Sequence, residues 1–318
     1  MAEAAPTSVF LVGPLPAARV DRIRAQAPAG VRIEYLDEPG ELLDRVGDAD
    51  VVAGHVPAEA LAKAGRLRWL HTWAAGPDRA LYPEMVASPV LVTCSKGNGA
   101  VPLAEQAMLL MLMLNRDALR WVRAQQDRRW ERFTHPELAG LTCGIIGLGY
   151  SGVDLALKAK AFHMRVHGLR RTSAPAEHVD RMFSRDQLHE FLGSCDVVVV
   201  TAPLTGETRG MLGEPEFRAM KSSALFICFS RGGIADDAAL LRALEEGWIA
   251  GAGLDAHATE PLPPDSPFWT APNTIVTPHN GATSPQTPER GVDIFLDNLR
   301  RFTAGRELIN VVDKDAGY

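Results

Sequence analysis

Short apolar runs alternate with amphipathic stretches along nearly the whole chain. Ser8–Val12, Val31–Tyr35, Asp50–Ala53, Trp69–Thr72 and Val90–Thr93 predict brief strands, with helices over Ala17–Ala27 and Pro57–Ala64 between them. Strand and helix alternating at this spacing imply a parallel sheet covered by helices on both faces. This first α/β unit closes near Lys96-Gly97-Asn98-Gly99.

A long helical stretch comes next, Leu103 to Trp130, apolar in its first half and charged in its second. It reads as a central core helix, or as a helix shared between the core and a homodimer interface, since an apolar face larger than one domain needs is covered by a partner. Beyond it lies a second α/β unit. Its expected strands are Thr142–Ile146, Arg165–Leu169, Asp196–Thr201, Ala224–Phe229, Ala250–Asp255 and Thr274–Thr277. Its expected helices are Ser151–Ala161, Gln187–Leu192, Pro215–Met220 and Asp236–Glu246. The stretch Thr287–Phe302 is amphipathic, with Val292, Phe295, Leu296 and Leu299 on one face, and is expected to pack back on the first unit. No repeat of fixed period and no Gly/Ser-rich linker interrupts this plan.

Composition narrows the function. The 318 residues are 46% hydrophobic and 23% charged, which excludes a disordered or low-complexity chain. A net charge of −6 argues against a dedicated nucleic-acid or anionic-membrane binder, whose affinity comes from excess Lys and Arg. The apolar run Met108–Leu114 is far shorter than the ~20 residues of a membrane helix, and Met1–Ser8 lacks the basic region of a secretory signal. Cys94, Cys143, Cys195 and Cys228 are widely spaced, three of them in or beside strand-like runs. Buried free thiols in a reducing cytoplasm are expected, and no metal site. His163, His167, His178 and His189 show no ligand spacing either.

The strongest local signal is Gly147-x-Gly149-x-x-Gly152, with Tyr150 and Ser151 inside it, between an apolar strand and an amphipathic helix. In that context the pattern predicts a dinucleotide site. Gly147 permits a tight turn, Gly149 lets the backbone approach a pyrophosphate, and Gly152 lets helix pack on strand; the helix N-terminus offers N–H groups and its dipole to the phosphates. An NAD site places Asp or Glu about 20 residues past the first glycine. Here Leu169 is followed by Arg170, Arg171, Thr172 and Ser173, with no carboxylate. Two guanidiniums and two hydroxyls suit a 2′-phosphate, so NADP(H) is expected to be preferred, with NAD(H) possible.

Three later segments, Phe229-Ser230-Arg231-Gly232-Gly233-Ile234-Ala235-Asp236, Gly253-Leu254-Asp255-Ala256-His257-Ala258-Thr259-Glu260-Pro261-Leu262-Pro263 and Thr277-Pro278-His279-Asn280-Gly281-Ala282-Thr283, resemble those of the D-isomer-specific 2-hydroxyacid dehydrogenases, a family that includes glyoxylate/hydroxypyruvate reductases and phosphoglycerate dehydrogenases. The resemblance extends to Ala75-Gly76-Pro77-Asp78 and Leu103-Ala104-Glu105-Gln106-Ala107 and covers essentially the whole chain. It implies two doubly wound parallel-sheet domains: a Rossmann cofactor domain, 100–286, inserted into a flavodoxin-like substrate domain, 1–99 with 287–318, the ligand cleft between them.

It further implies hydride transfer between NAD(P)H and a small 2-keto or 2-hydroxy acid. Arg231 is then the carboxylate clamp, His279 the general acid and Glu260 the carboxylate that orients the imidazole; the chemistry of a guanidinium fork, of a group titrating near neutrality and of a fixed tautomer suits each role. The same resemblance puts Asp255 near the nicotinamide carboxamide, Gly281 beside the cofactor and Pro203 and Thr208 around the adenosine, with Ala75 and Gly76 N–H groups on the substrate. His257 is read as a loop residue that could line the pocket. The sequence departs from the family pattern at Cys228, at Ala256-His257 and at Gln106, which bears on pocket shape more than on the reaction. Two alternatives stay open: a bulkier aromatic or branched keto acid, with Phe268 and Trp269 as pocket walls or core, and a dinucleotide-sensing binding protein of the same fold.

Overall fold

The computed structural model describes residues 6–171 and 174–318. The chain forms two compact units, one running up to Gly99 and resuming with Ser284–Tyr318, the other Ala100–Thr283. The first unit contains β1 (Thr7–Val12), α1 (Ala17–Gln26), β2 (Val31–Leu36), β3 (Val51–Ala53), α2 (Ala58–Leu61), β4 (Trp69–Thr72), α3 (Pro83–Ala87) and β5 (Leu91–Cys94). Its five strands lie in the order β2-β1-β3-β4-β5, every pair parallel, the flavodoxin-like arrangement. In β1 every residue after Thr7 is buried, as a strand covered on both faces requires.

The second unit contains α4 (Ala100–Asn115), α5 (Ala118–Gln126), β6 (Thr142–Ile146), α6 (Tyr150–Ala161), β7 (Arg165–Leu169), β8 (Arg181–Phe183), α7 (Leu188–Ser194), β9 (Val197–Val200), α8 (Glu214–Ala219), β10 (Leu225–Cys228), α9 (Asp237–Glu245), β11 (Gly251–Leu254) and β12 (Thr274–Val276). The strand order is β12-β11-β10-β9-β6-β7-β8, again parallel throughout. The chain runs outward from β6 through β7 to β8 and then restarts at β9 on the other side of β6. That reversal is the topological switch point at which open α/β sheets bind ligands, outside the carboxyl ends of the strands.

The last helix, α10 (Gln286–Thr303), belongs to the first unit. Val292, Phe295, Leu296 and Leu299, the face expected to be apolar, are buried with Val9, Leu11, Val51, Ala53 and Trp69. Phe295 stacks on Trp69 with ring centroids 5.5 Å apart.

One expected element is corrected. Leu103–Trp130 is not a single helix: α4 stops at Asn115, Asp117 takes a left-handed φ of 50°, and α5 ends at Gln126. Asp competes for nearby backbone groups and tolerates that conformation, so it can break a helix that periodicity alone would continue. The apolar half, α4, is core, with Ala107, Leu110, Met111 and Leu114 buried against Cys143, Ile145, Val197 and Ile227 of the sheet. Strand β8 was not anticipated; it has only three residues, at the sheet edge. All four cysteines are free and buried. Among the described residues no helix is long and apolar enough to cross a membrane.

Candidate active site

Neighbouring parallel strands β10, β11 and β12 point their carboxyl ends the same way, so the segments that leave them emerge along one edge of the sheet. The Arg231 turn leaves β10, the Asp255–Glu260 segment leaves β11, and the Thr277–Gly281 loop leaves β12. Residues far apart in sequence meet because their strands are adjacent. Main-chain bonds tie the three exits together: Asp255 N–H donates to the Cys228 carbonyl and Thr277 N–H to the Leu254 carbonyl, each at 2.8 Å.

The Glu260 carboxylate lies 2.8 and 2.9 Å from His279 Nδ1. A carboxylate only accepts, so Nδ1 carries the hydrogen and Nε2 is left for chemistry. About a third of each side chain is exposed (36% for His279, 37% for Glu260). Burial pushes the Glu260 pKa up, but the His257 N–H and the His279 ring, by hydrogen bonds and charge, outweigh it and hold the carboxyl below its ordinary value. His279 also has a left-handed φ of 53°. That conformation is uncommon for a residue with a Cβ and persists only where surroundings over-determine it. Arg231 donates from Nη1 to the Ser230 carbonyl at 2.8 Å. Its neighbour must be glycine, because a Cβ on Gly232 would lie 2.1–2.2 Å from the main chain of His257 and Ala258.

Asp255, expected at the cofactor, is fully buried, and its carboxylate is spent on the His279 loop. It accepts from Thr277 Oγ1 at 2.6 Å, Asn280 N–H at 3.1 Å and Gly281 N–H at 2.8 Å. Gly281 lies so close that a Cβ there would sit 2.7 Å from Asp255 Oδ2. Both residues thus hold the loop in shape. Gln106, a departure from the family pattern, joins them by donating to Thr277 Oγ1 at 3.1 Å.

The glycine turn has the form its sequence implies. Gly147 has φ +97°, and a Cβ there would meet the Ala202 backbone at 2.7 Å; a Cβ on Gly152 would meet the Gly147 carbonyl at 2.2 Å. By contrast, nothing lies within 4 Å of a Cβ on Gly149, the N-cap of α6, so the space before the helix N-terminus is open. Tyr150 is exposed and Ser151 half-buried in the first turn. An open backbone cradle at a helix N-terminus fits a dinucleotide pyrophosphate.

The neighbouring candidates are less uniform. Arg170 donates to the carbonyls of Ala174 and Pro175 at 2.7 and 3.2 Å, with its Nε buried and without a hydrogen-bond partner. Arg171 is exposed, and Thr172 lies outside the described residues. The Thr208 hydroxyl donates to the Pro203 carbonyl at 2.7 Å and so braces its own loop. Ala75 and Gly76 belong to the first unit, just after β4, where the Ser95 N–H holds the Ala74 carbonyl at 2.9 Å. Phe268 is core, whereas Trp269 lines a cavity of about 690 Å³ with Ser223, Ala250 and Asn273, at the amino ends of β10–β12. Phe268 also lines the small cavity that Arg231 and His257 share, whereas Trp269 stands at the opposite end of the strands.

One residue of the site was underrated by the sequence. His257 donates its N–H to Glu260 Oε1 at 2.9 Å, and its Nε2 lies 3.0 Å from the Thr277 carbonyl. The signal for it was the Ala256-His257 departure from the family pattern.

Comparison with known proteins agrees with this architecture. Residues 108–281 match the family model for the D-isomer specific 2-hydroxyacid dehydrogenase, NAD binding domain. A glyoxylate reductase of Korarchaeum cryptofilum is 32% identical over 286 residues, 86% of each chain. Among solved structures, a D-isomer specific 2-hydroxyacid dehydrogenase family protein from Aeromonas salmonicida aligns over 97% of this chain and 99% of its own, with a TM-score of 0.87 and 29% identity. An NADPH-dependent glyoxylate/hydroxypyruvate reductase from Sinorhizobium meliloti, in complex with NADP and sulfate, aligns over 98% and 100%, with a TM-score of 0.84 and 29% identity.

Proposed function

Because the chain belongs to the D-isomer-specific 2-hydroxyacid dehydrogenase family, we propose that it reduces a small 2-keto acid of the glyoxylate and hydroxypyruvate class to the D-2-hydroxy acid. The chemistry is hydride transfer between NAD(P)H and the 2-carbon of the acid. The observation that carries the reading is the Glu260–His279 pair, with 2.8 Å between carboxylate and Nδ1, on the same sheet edge as Arg231.

The dinucleotide, when bound, would supply the hydride from its nicotinamide, with its pyrophosphate in the open space at Gly149 before α6, a turn that Gly147 and Gly152 shape. The other tasks fall to this chain's side chains. Arg231 pairs its guanidinium with the substrate carboxylate and draws electron density from the keto oxygen. His279 gives its Nε2 proton to that oxygen as the carbon is reduced, and regains one afterwards. Glu260 keeps Nδ1 protonated, fixes the ring plane and stabilises the imidazolium. Ala75 and Gly76 are assigned to the substrate carboxylate on family grounds.

NADPH is proposed as the better reductant. No carboxylate comes after Leu169 until Glu177, and Arg170 and Arg171 occupy the positions where an NAD site would place its acid. The Sinorhizobium relative carries NADP in its structure. A homodimer is proposed through the α4–α5 region, where Leu109, Trp121, Val122 and, just beyond α5, Trp130 are exposed, Trp130 to 94%; sedimentation at about twice 34.4 kDa checks it.

Glyoxylate, hydroxypyruvate and phenylpyruvate, each assayed with NADPH and NADH, test the function. One of the two small acids should be reduced, with kcat/KM about tenfold higher for NADPH, the equivalent of ~1.4 kcal/mol. No oxidation of either cofactor with any of the three overturns the reaction, and NADH performing as well as NADPH overturns the cofactor assignment.

A further inference from the structure

His257 touches all three segments that build the site. Its main-chain N–H donates to Glu260 Oε1 at 2.9 Å. The main chain of His257 and Ala258 abuts Gly232, leaving no room for a Cβ beside Arg231. Its ring reaches the third segment, with Nε2 3.0 Å from the Thr277 carbonyl. A carbonyl only accepts, so the ring is held with hydrogen on Nε2. The same carbonyl accepts the His279 N–H at 3.0 Å, closing a tight turn over Pro278. That turn sets His279 in its left-handed φ of 53° and aims Nδ1 at Glu260.

We propose that His257 is a positioning residue for the general acid: through its imidazole it fixes the Thr277–His279 turn, and through its main chain it fixes Glu260, so that one residue sets both halves of the pair. The proposal rests on the reading of His279 as the proton donor. The structure adds the reason a polar ring stands at this position. Phenylalanine fills similar volume but cannot donate to the Thr277 carbonyl, which would keep only the His279 N–H. A turn relaxed by a fraction of an ångström carries the Nε2 of His279 off line, and misplacements of that size cost rate more than binding. The charged groups around the His257 ring are Glu260 on its own segment, His279 beyond the turn it holds, Arg231 from the turn after β10 and Asp237 at the start of α9; Arg231, Asp237 and His257 line one small cavity. Asp236 is occupied in capping α9, accepting from the Ala239 N–H at 2.8 Å.

His257→Phe keeps the main-chain bond to Glu260 and removes only the ring donor. His257→Gln returns an N–H donor to the region of Nε2. In the phenylalanine variant kcat should fall about tenfold, with KM for keto acid and NADPH within about twofold of the parent. Glutamine should recover most of the rate. A folded His257→Phe enzyme with unchanged kcat overturns the proposal. So does an equal loss in both variants, which would mark the site as packing alone. If the parent reduces no keto acid, the function reading fails and the positioning claim is decided by histidine ring NMR of the substrate-free protein. His257 should then show hydrogen on Nε2, and His279 ring resonances should shift in His257→Phe and return in His257→Gln. Static His279 resonances would sink it.

Discussion

The first strand of each α/β unit leads into the same turn, and the two units use it differently. In the first, β1 leads into Gly13, with φ +97° and an N–H that donates to the Leu36 carbonyl at the end of the adjacent strand, at 3.0 Å. In the second, β6 leads into Gly147, also with φ +97°, donating to the Leu169 carbonyl at 2.9 Å. The residues immediately after each glycine separate the two turns. Pro14-Leu15-Pro16 places two residues without an N–H before α1, whereas Leu148-Gly149-Tyr150 leaves a bare, donor-bearing backbone before α6. The fold provides the turn, and its next few side chains decide whether it can hold phosphate.

The histidines repeat the contrast. His71, on β4, is fully buried, with Nδ1 2.9 Å from Thr93 Oγ1 and Nε2 3.1 Å from Ser95 Oγ. Trp69 Nε1 donates to the same Thr93 hydroxyl at 2.8 Å, which keeps a hydrogen to give to Nδ1 of a neutral ring. Burial drives its pKa down to about 3. His279 has a carboxylate partner and a third of its side chain exposed. Hydroxyl partners in a dry interior make an imidazole part of the core, while a carboxylate at an open edge keeps it able to exchange protons.

Three substitutions break or sharpen this contrast. His279→Ala should lower kcat about 10³-fold, within the range for loss of a positioned acid, while NADPH affinity and the urea midpoint stay near the parent; turnover surviving intact would remove the distinction. Gly149→Leu, which gives the second turn the leucine of the first, should fold, because its side chain enters open space. Its NADPH affinity should fall on the order of 100-fold, since that space is the pyrophosphate's; titration by nucleotide fluorescence reads this, and unaltered affinity would place the phosphates elsewhere.

The third is His71→Leu, which should leave kcat unchanged and act on stability. Unfolded, the imidazole takes its proton near pH 6.5, while in the fold it waits until about pH 3. Unfolding therefore binds a proton at any pH between, and stability that is complete above 6.5 is lost towards 3 at about 1.4 kcal/mol per pH unit. The leucine variant should be weaker by about 1–3 kcal/mol at pH 7.5, where two hydroxyls lose a partner, yet decline less steeply than the parent at pH 4.5. Urea unfolding at both values checks it, and parallel declines would contradict the neutral buried ring.

What could be read from the chain alone has a physical boundary. β6, the glycine turn and α6 are legible because apolar runs, φ > 0 and helix initiation are local properties. The strands β9 to β12 are legible for the same reason. The Glu260–His279 pair is not a local property; its two residues were found through resemblance, and the distance between them is set by the adjacency of β11 and β12. The loop-bracing contacts of Asp255, Gly281 and His257 could not be read from the chain because each is made to another strand's exit. Asp117 hid in a helical pattern since a single left-handed residue leaves periodicity almost untouched.

The return of α10 to the first unit also has a consequence for biosynthesis. Val9, Leu11, Val51, Ala53 and Trp69 leave the ribosome early, but the helix that covers them is encoded after Thr283. At ~5–20 residues per second, translating the intervening unit takes roughly 10–40 s. Throughout that interval this face of the earliest sheet has only α1, through Val20 and Ile23, against it, and the part left for α10 is prone to stick. The unit translated first is thus completed last, and a nascent chain interrupted before Gln286 presents chaperones and proteases with an unclad hydrophobic surface rather than a finished domain.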